Sequence, residues 1–146
     1  MIIKIADKKQ LKDVAKLNEM FANENCCNGI VADSEEYYLD KIVAVAVVDN
    51  KIIGYAYGEF EISKINKSYV SKGEKIFYLA EMYILPEKRN LNIGKQLFLF
   101  LENFAKTKGA SVFELNAVSK NYLELLDYYI NKLNMTFLSA YLYKKI

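Results

Sequence analysis

Histidine is absent from this chain. Its absence excludes Ser-His-Asp and Cys-His nucleophilic catalysis and every histidine-ligated metal site. Cysteine is nearly absent: Cys26 and Cys27 are the only two, and they are adjacent. Neighbouring cysteines rarely pair, and two thiols do not complete a four-ligand zinc site. They read as buried or half-buried thiols in a reducing compartment, and no metal is expected. No apolar run approaches the ~18 residues that cross a bilayer. The opening Met1-Ile2-Ile3-Lys4-Ile5 is followed by no charged leader, long apolar core or cleavage site. It reads as a strand, so a cytoplasmic location and no membrane partner are expected. An excess of one charge is also lacking. The net charge is +2, with acids and bases interspersed, so nothing argues for nucleic acid. Acid–base chemistry must fall to Asp, Glu, Lys, Tyr, Cys or water.

What is present is a globular balance. The 146 residues are 53% hydrophobic and 26% charged, which fits one domain, residues 1–146, around one core. Residues 2–5 form a first strand. Asp7 is an N-cap, and Leu11, Val14, Ala15, Leu17, Asn18 and Phe21 give a helical stripe to about Asn23. A loop from Asn25 to Asp33 holds the cysteines, and Ser34 opens a short helix. Ile42–Val48 is apolar and β-branched, a strand buried on both faces. Asp49-Asn50 turns it into a partner, Lys51–Ile62. There Tyr55, Tyr57, Glu59 and Glu61 share one face, either as a lining for a cationic amine or as a solvated sheet face. Ser63–Lys75 is a long polar loop. Ile76–Ile84 is the central strand, Ile93–Lys108 a helix with Gly109 at C′, and Val112–Val118 a strand parallel to the central one. Asn121–Leu133 is the last helix, and Thr136–Tyr143 the last strand.

Proline and arginine occur once each, and both fall in the turn after the central strand, Pro86 and Arg89. Residues 89–94 read Arg-x-x-Asn-x-Gly. Glycine accepts a positive φ freely and asparagine is next best, so this loop can turn successive N–H groups outward. The helix that follows adds free N–H donors and a partial positive charge, a setting for phosphate. Arg89 and Lys95 add cations. The alternative is a plain structural turn. The central strand contains one charged residue, Glu81, among apolar and aromatic neighbours. Such a carboxylate borders a cavity or finds a partner. Desolvation raises its pKa, as a general base near neutral pH needs. A lysine-paired or edge glutamate is the other reading.

The stretch from Leu79 to Gly94 resembles the acyl-CoA-binding motif of the GNAT superfamily of N-acetyltransferases. That motif is a strand ending in aromatic–aliphatic–x–Pro, then Arg/Gln-x-x-Gly-x-Gly/Ala, then a helix. Tyr128-Tyr129-Ile130-Asn131-Lys132-Leu133-Asn134-Met135 resembles the family's Phe-Tyr-x-Lys-Leu-Gly-Phe/Met segment. Asn92 and Asn134 stand where the family prefers glycine. With Tyr129 aligned, the family's asparagine position falls on Tyr122, one residue past Asn121. The resemblance implies an α/β fold: a mixed, mostly antiparallel central sheet, helices on both faces, and one parallel pair splayed at the cofactor. It implies acetyl-CoA, with the pantetheine arm on the backbone at Met82, Tyr83 and Ile84. The pyrophosphate would lie on Arg89, Asn90, Leu91, Asn92, Ile93, Gly94 and Lys95. It implies direct attack by a primary amine of a small molecule or peptide, Glu81 as base and Tyr129 as acid to the leaving thiolate. A non-catalytic acyl-CoA-binding or regulatory module is the alternative function. Tyr129 as a plain core residue is the alternative role. Exposed edges at the C-terminal strands point to a possible homodimer.

Overall fold

The computed structural model describes all 146 residues. The chain begins with β1 (Ile2–Ile5) and a 3₁₀ turn, Lys8–Gln10, that leads into α1 (Leu11–Glu24). Asp7 starts this segment with a capping box. Its Oδ1 accepts from the N–H groups of Lys9 and Gln10, and the Gln10 side chain accepts from the Asp7 N–H at 3.1 Å. A 3₁₀ turn, Glu35–Tyr38, follows the cysteine loop. β2 (Ile42–Val48) and β3 (Lys51–Ile62) then form the expected hairpin. Asp49 and Asn50 both have positive φ, 48° and 62°, as a two-residue hairpin turn requires. β4 (Lys75–Ile84), α2 (Ile93–Thr107) and β5 (Val112–Leu115) make the strand–helix–strand unit.

The five strands lie in the order β1-β2-β3-β4-β5. All neighbours are antiparallel except β4 and β5, which run parallel. Helices cover both faces of the sheet. Leu97, Phe98 and Leu101 of α2 pack on Ala44, Ala56, Phe77 and Leu79. Leu11, Val14, Leu17 and Phe21 of α1 pack on Val43, Val45, Tyr55, Tyr57 and Tyr83. Strand β2 sits between both layers, and Val43 to Ala46 are buried, as its unbroken apolar run requires. No helix is long and apolar enough to cross a membrane.

Three expectations need correction at the C-terminal end. The strand expected over Val112–Val118 stops at Leu115. Val118 and Lys120 leave the sheet and meet the cysteine loop instead. Asn28 donates its N–H to the Val118 carbonyl, and Lys120 to that of Cys26, both at 2.9 Å. The helix expected over Asn121–Leu133 is α3 (Tyr122–Asp127) followed by a π-helical turn, Tyr128–Lys132. The last strand, Thr136–Tyr143, does not form: residues 134–146 have no regular structure. Its apolar pattern is strand-like, but no strand of the chain lies alongside it.

Candidate active site

The site is made by two interruptions of the sheet. First, β4 and β5 pair only from Ile76↔Val112 to Leu79↔Leu115. Beyond Leu79, β4 runs on to Ile84 with no neighbour on that side. Its backbone is therefore left without ladder partners there. Second, β4 carries a bulge at this same point. Tyr57 pairs with Glu81 and Gly58 with Leu79, so Ala80 has no opposite number. Phe77 and Leu79 face α2, and strict alternation would send Glu81 there too. The extra residue reverses the alternation. Met82 and Ile84 now pack on the α2 side, and Glu81 turns to the side of α1 with Tyr83.

The gap opens a cleft of about 620 Å³. Glu81, Met82, Tyr83 and Ile84 line one wall. Leu115, Asn116 and Ser119 line the other, and Tyr128, Tyr129 and Lys132 close over it. Phe21, Cys27 and Ile30 also line it, Cys27 near Glu81, and Lys88, Arg89, Asn90, Asn92, Ile93, Gly94 and Lys95 line the end at the start of α2. Leu91 lies outside the lining, 60% exposed.

The far end is suited to an anion. Asn90 and Asn92 hold φ of 63° and 59°, the left-handed conformation that asparagine tolerates. Asn92 caps α2 without using its side chain, and the first turn contains no acid. The first N–H groups of this 15-residue helix keep no side-chain partner and carry the positive end of its dipole. Gly94 is within the helix, so φ is not what requires glycine there. A Cβ on Gly94 would point at Met82 and the Tyr128 hydroxyl, in the cleft. Lys88 and Lys95 bring charge to the mouth. Arg89 is committed elsewhere. Its Nη2 donates to both carboxylate oxygens of Glu24, at 2.8 and 2.9 Å, its guanidinium lies 5.4 Å from the Tyr83 ring centre, and its Nε donates to the Ile84 carbonyl. It ties the turn to the end of α1, with its charge balanced by Glu24.

Glu81 is 8% exposed. Burial, above all, raises its pKa, and the nearby Asp33 charge adds to this. Hydrogen bonds from Tyr55 and Asn18 oppose it. Tyr129 is held by Phe98 and the apolar layer of α2, and its hydroxyl finds no partner in the chain. Burial raises its pKa too, so it stays protonated and can act only as a donor near neutrality. Tyr128 and Tyr129 both border the cleft from the π turn. Cys27 lies between these groups, its thiol pushed up to about 11 by burial and by Cys26. A thiol so high is a poor nucleophile.

Glu81, Tyr129 and the turn, marked by the sequence, line the cleft; the sequence marks Tyr55 only as a lining for an amine, and gives Asn18, Asn116, Ser119 and Tyr128 no role. Asn18 carried a signal: it is a polar residue on the apolar stripe of α1. Tyr55, Tyr57, Glu59 and Glu61 do share a face, yet none lines the cleft. The two tyrosines are buried under α1, and the glutamates are in solvent, where Glu59 pairs with Lys41 at 2.8 Å.

Residues 12–132 match the family model of the acetyltransferase (GNAT) family, and the chain belongs to that family. It is accordingly an acyl-CoA-dependent N-acetyltransferase. No curated protein matches the chain by sequence. Among solved structures it is similar to the aminoglycoside N-acetyltransferase AAC(6')-Iy in complex with CoA. The identity is 17%, the TM-score 0.73, and 99% of this chain and 98% of that one are covered. It is similar to a possible acetyltransferase from Clostridium difficile 630, at 18% identity, TM-score 0.72 and 99% and 96% coverage. It is also similar to an aminoglycoside acetyltransferase from an uncultured soil metagenomic sample in complex with sisomicin, at 16% identity, TM-score 0.70 and 99% and 95% coverage. At these identities the likeness is one of fold.

Proposed function

We propose that this enzyme moves an acetyl group from acetyl-CoA to a primary amine by direct attack, with Glu81 as general base and Tyr129 as general acid. The cleft supports this reading with one observation above all. It runs from a helix N-terminus with free N–H donors to a buried carboxylate, and a protonated tyrosine borders it.

The start of α2 would hold the pyrophosphate on the backbone of Ile93, Gly94 and Lys95, with Lys88 and Lys95 as counter-charges. The backbone of Met82, Tyr83 and Ile84, along the edge that β5 leaves open and where the Ile84 carbonyl already accepts from Arg89 Nε, would hold the pantetheine arm in place of the missing strand. Acetyl-CoA supplies the acyl group as a thioester and leaves as a thiol. A free amine is mostly protonated at pH 7 and cannot attack in that form. Glu81, directly or through water, takes the proton. Tyr129 donates its hydroxyl proton to the departing sulfur.

The acceptor is a small-molecule or peptide amine. Glu81 is the only carboxylate that lines the cleft, against three cations without an acidic partner, Lys88, Lys95 and Lys132, the charge of Arg89 being balanced by Glu24. This favours an acceptor with one amine over a polycation. We place the reaction in the cytoplasm, where the unbonded Cys26 and Cys27 would stay reduced. We infer a homodimer from the apolar C-terminal segment, where Tyr141, Leu142 and Tyr143 are more than four-fifths exposed.

Thiol release from acetyl-CoA over a panel of primary amines tests the base. Glu81→Gln should lower kcat/KM about 100-fold or more. Calorimetry should find its CoA affinity unchanged. Wild-type rates in this variant would remove Glu81 from the mechanism.

A further inference from the structure

We propose that Asn18 and Tyr55 are positioning residues for the base: together they occupy Oε1 of Glu81 and leave Oε2 as the oxygen that takes the amine proton. This rests on the reading of Glu81 as the base.

Asn18 is on α1 and Tyr55 on β3, and both are fully buried. Asn18 donates Nδ2 to Oε1 of Glu81 at 3.1 Å, and the Tyr55 hydroxyl donates to the same oxygen. A carboxylate oxygen offers two lone pairs, so these two donors fill Oε1. Oε2 makes no hydrogen bond in the chain. The only buried side-chain polar atom without a partner is the Tyr38 hydroxyl. Oε2 is therefore not sealed in; it opens to the cleft that Glu81 lines.

The orientation of Asn18 is fixed from its other end. Its Oδ1 accepts the Asp33 N–H at 2.6 Å, so turning the amide over would break both bonds. A buried asparagine among Leu11, Val14, Leu17 and Phe21 is costly for folding unless its groups are satisfied. The same contact anchors the cysteine loop to the base.

The electrostatic setting agrees. Besides these donors, Glu81 is near Tyr57, its neighbour on β3, Tyr38 of the 3₁₀ turn on the same face, Cys27 on the loop, and Asp33. Burial raises the pKa of both tyrosines and of Cys27, so they are neutral near pH 7. Asp33 repels the ionised form, and the two donors stabilise it. Removing either donor should leave the base ionised only at higher pH.

The test is the pH profile of thiol release from acetyl-CoA, with the most active primary amine of the panel, for Tyr55→Phe, Asn18→Leu and Asn18→Asp. NMR titration of the Glu81 carboxyl carbon, assigned with Glu81→Gln, accompanies it. In Tyr55→Phe and Asn18→Leu the acid limb and the carboxyl titration should both move to higher pH by about one unit. The rate at pH 7 should fall, and it should recover at alkaline pH where the carboxyl is again ionised. Asn18→Asp places a second carboxylate beside the first and should move the limb further. If a variant fails to fold, the others carry the test. An unmoved limb and titration, with a loss that alkaline pH does not rescue, would overturn the positioning role while leaving the base in place. A Glu81→Gln variant that keeps the wild-type limb and rate would overturn the base itself, and the positioning role with it.

Discussion

At the scale of single residues, the decisive feature is a carboxylate kept in a place that disfavours its charge. Glu81 is buried on a strand, and its raised pKa means that folding favours the protonated form. Such a group stabilises the fold fully below its unfolded pKa, and that contribution is lost as pH rises through the raised folded value. Glutamine carries no such charge. Glu81→Gln should therefore melt a few degrees above wild type at pH 8, with the gap closing towards pH 4. Thermal denaturation across this range checks it, and a gap independent of pH would show that ionised Glu81 costs the fold nothing. Stability given up at a site that needs a base is a familiar exchange. The odd residue was legible in the sequence because it interrupts an apolar strand. Its partners were not, since Asn18 and Tyr55 are separated from it by 63 and 26 positions.

At the scale of elements, the β4–α2 turn does the positioning. Asn92 stands where the family prefers glycine, yet it adopts the left-handed backbone with φ 59°. The backbone path thus survives the change of residue. Gly94 separates binding from folding. A Cβ there would meet the Tyr128 hydroxyl at 3.5 Å and Met82 at 3.8 Å, ordinary contacts that leave the fold intact. The larger Gly94→Val side chain should instead fill the phosphate approach. We expect an unchanged circular dichroism spectrum and roughly 100-fold weaker CoA binding by calorimetry, about the loss of two charge-assisted hydrogen bonds. Retained affinity would remove the helix N-terminus as the phosphate site. Apolar periodicity specified most elements, including β2, β3 and α2. It could not specify the bulge at Ala80, because a one-residue slip depends on how β3 and β4 register. Nor could it place the end of β5, which is set by the competing bonds of the cysteine loop with Val118 and Lys120. Arg89 shows the same limit: its position in the turn was evident, but its partner Glu24 lies 65 residues away.

At the scale of the molecule, the central sheet ends on β5, a four-residue strand with one unpaired edge. The segment after the last helix has strand-like sequence and no strand beside it. Phe137, Leu138, Tyr141, Leu142, Tyr143 and Ile146 are all exposed. An apolar segment and an open edge in the same molecule are what pairing between two copies would cover. Sedimentation should find a dimer for the full chain and a monomer when Thr136–Ile146 is removed. A full chain that is monomeric at all concentrations would rule this out.

The claim that joins these scales is that one cleft holds acetyl-CoA and delivers its acetyl group to an amine at Glu81. The most direct measurement is acetyl-CoA turnover over a panel of primary amines, followed by thiol release and by mass spectrometry of the product. The expected result is amine-dependent release, an amine heavier by one acetyl group, and higher rates with single amines than with polycations. Tight acetyl-CoA binding with no acetylated amine from any class would contradict it and leave a non-catalytic acyl-CoA-binding module.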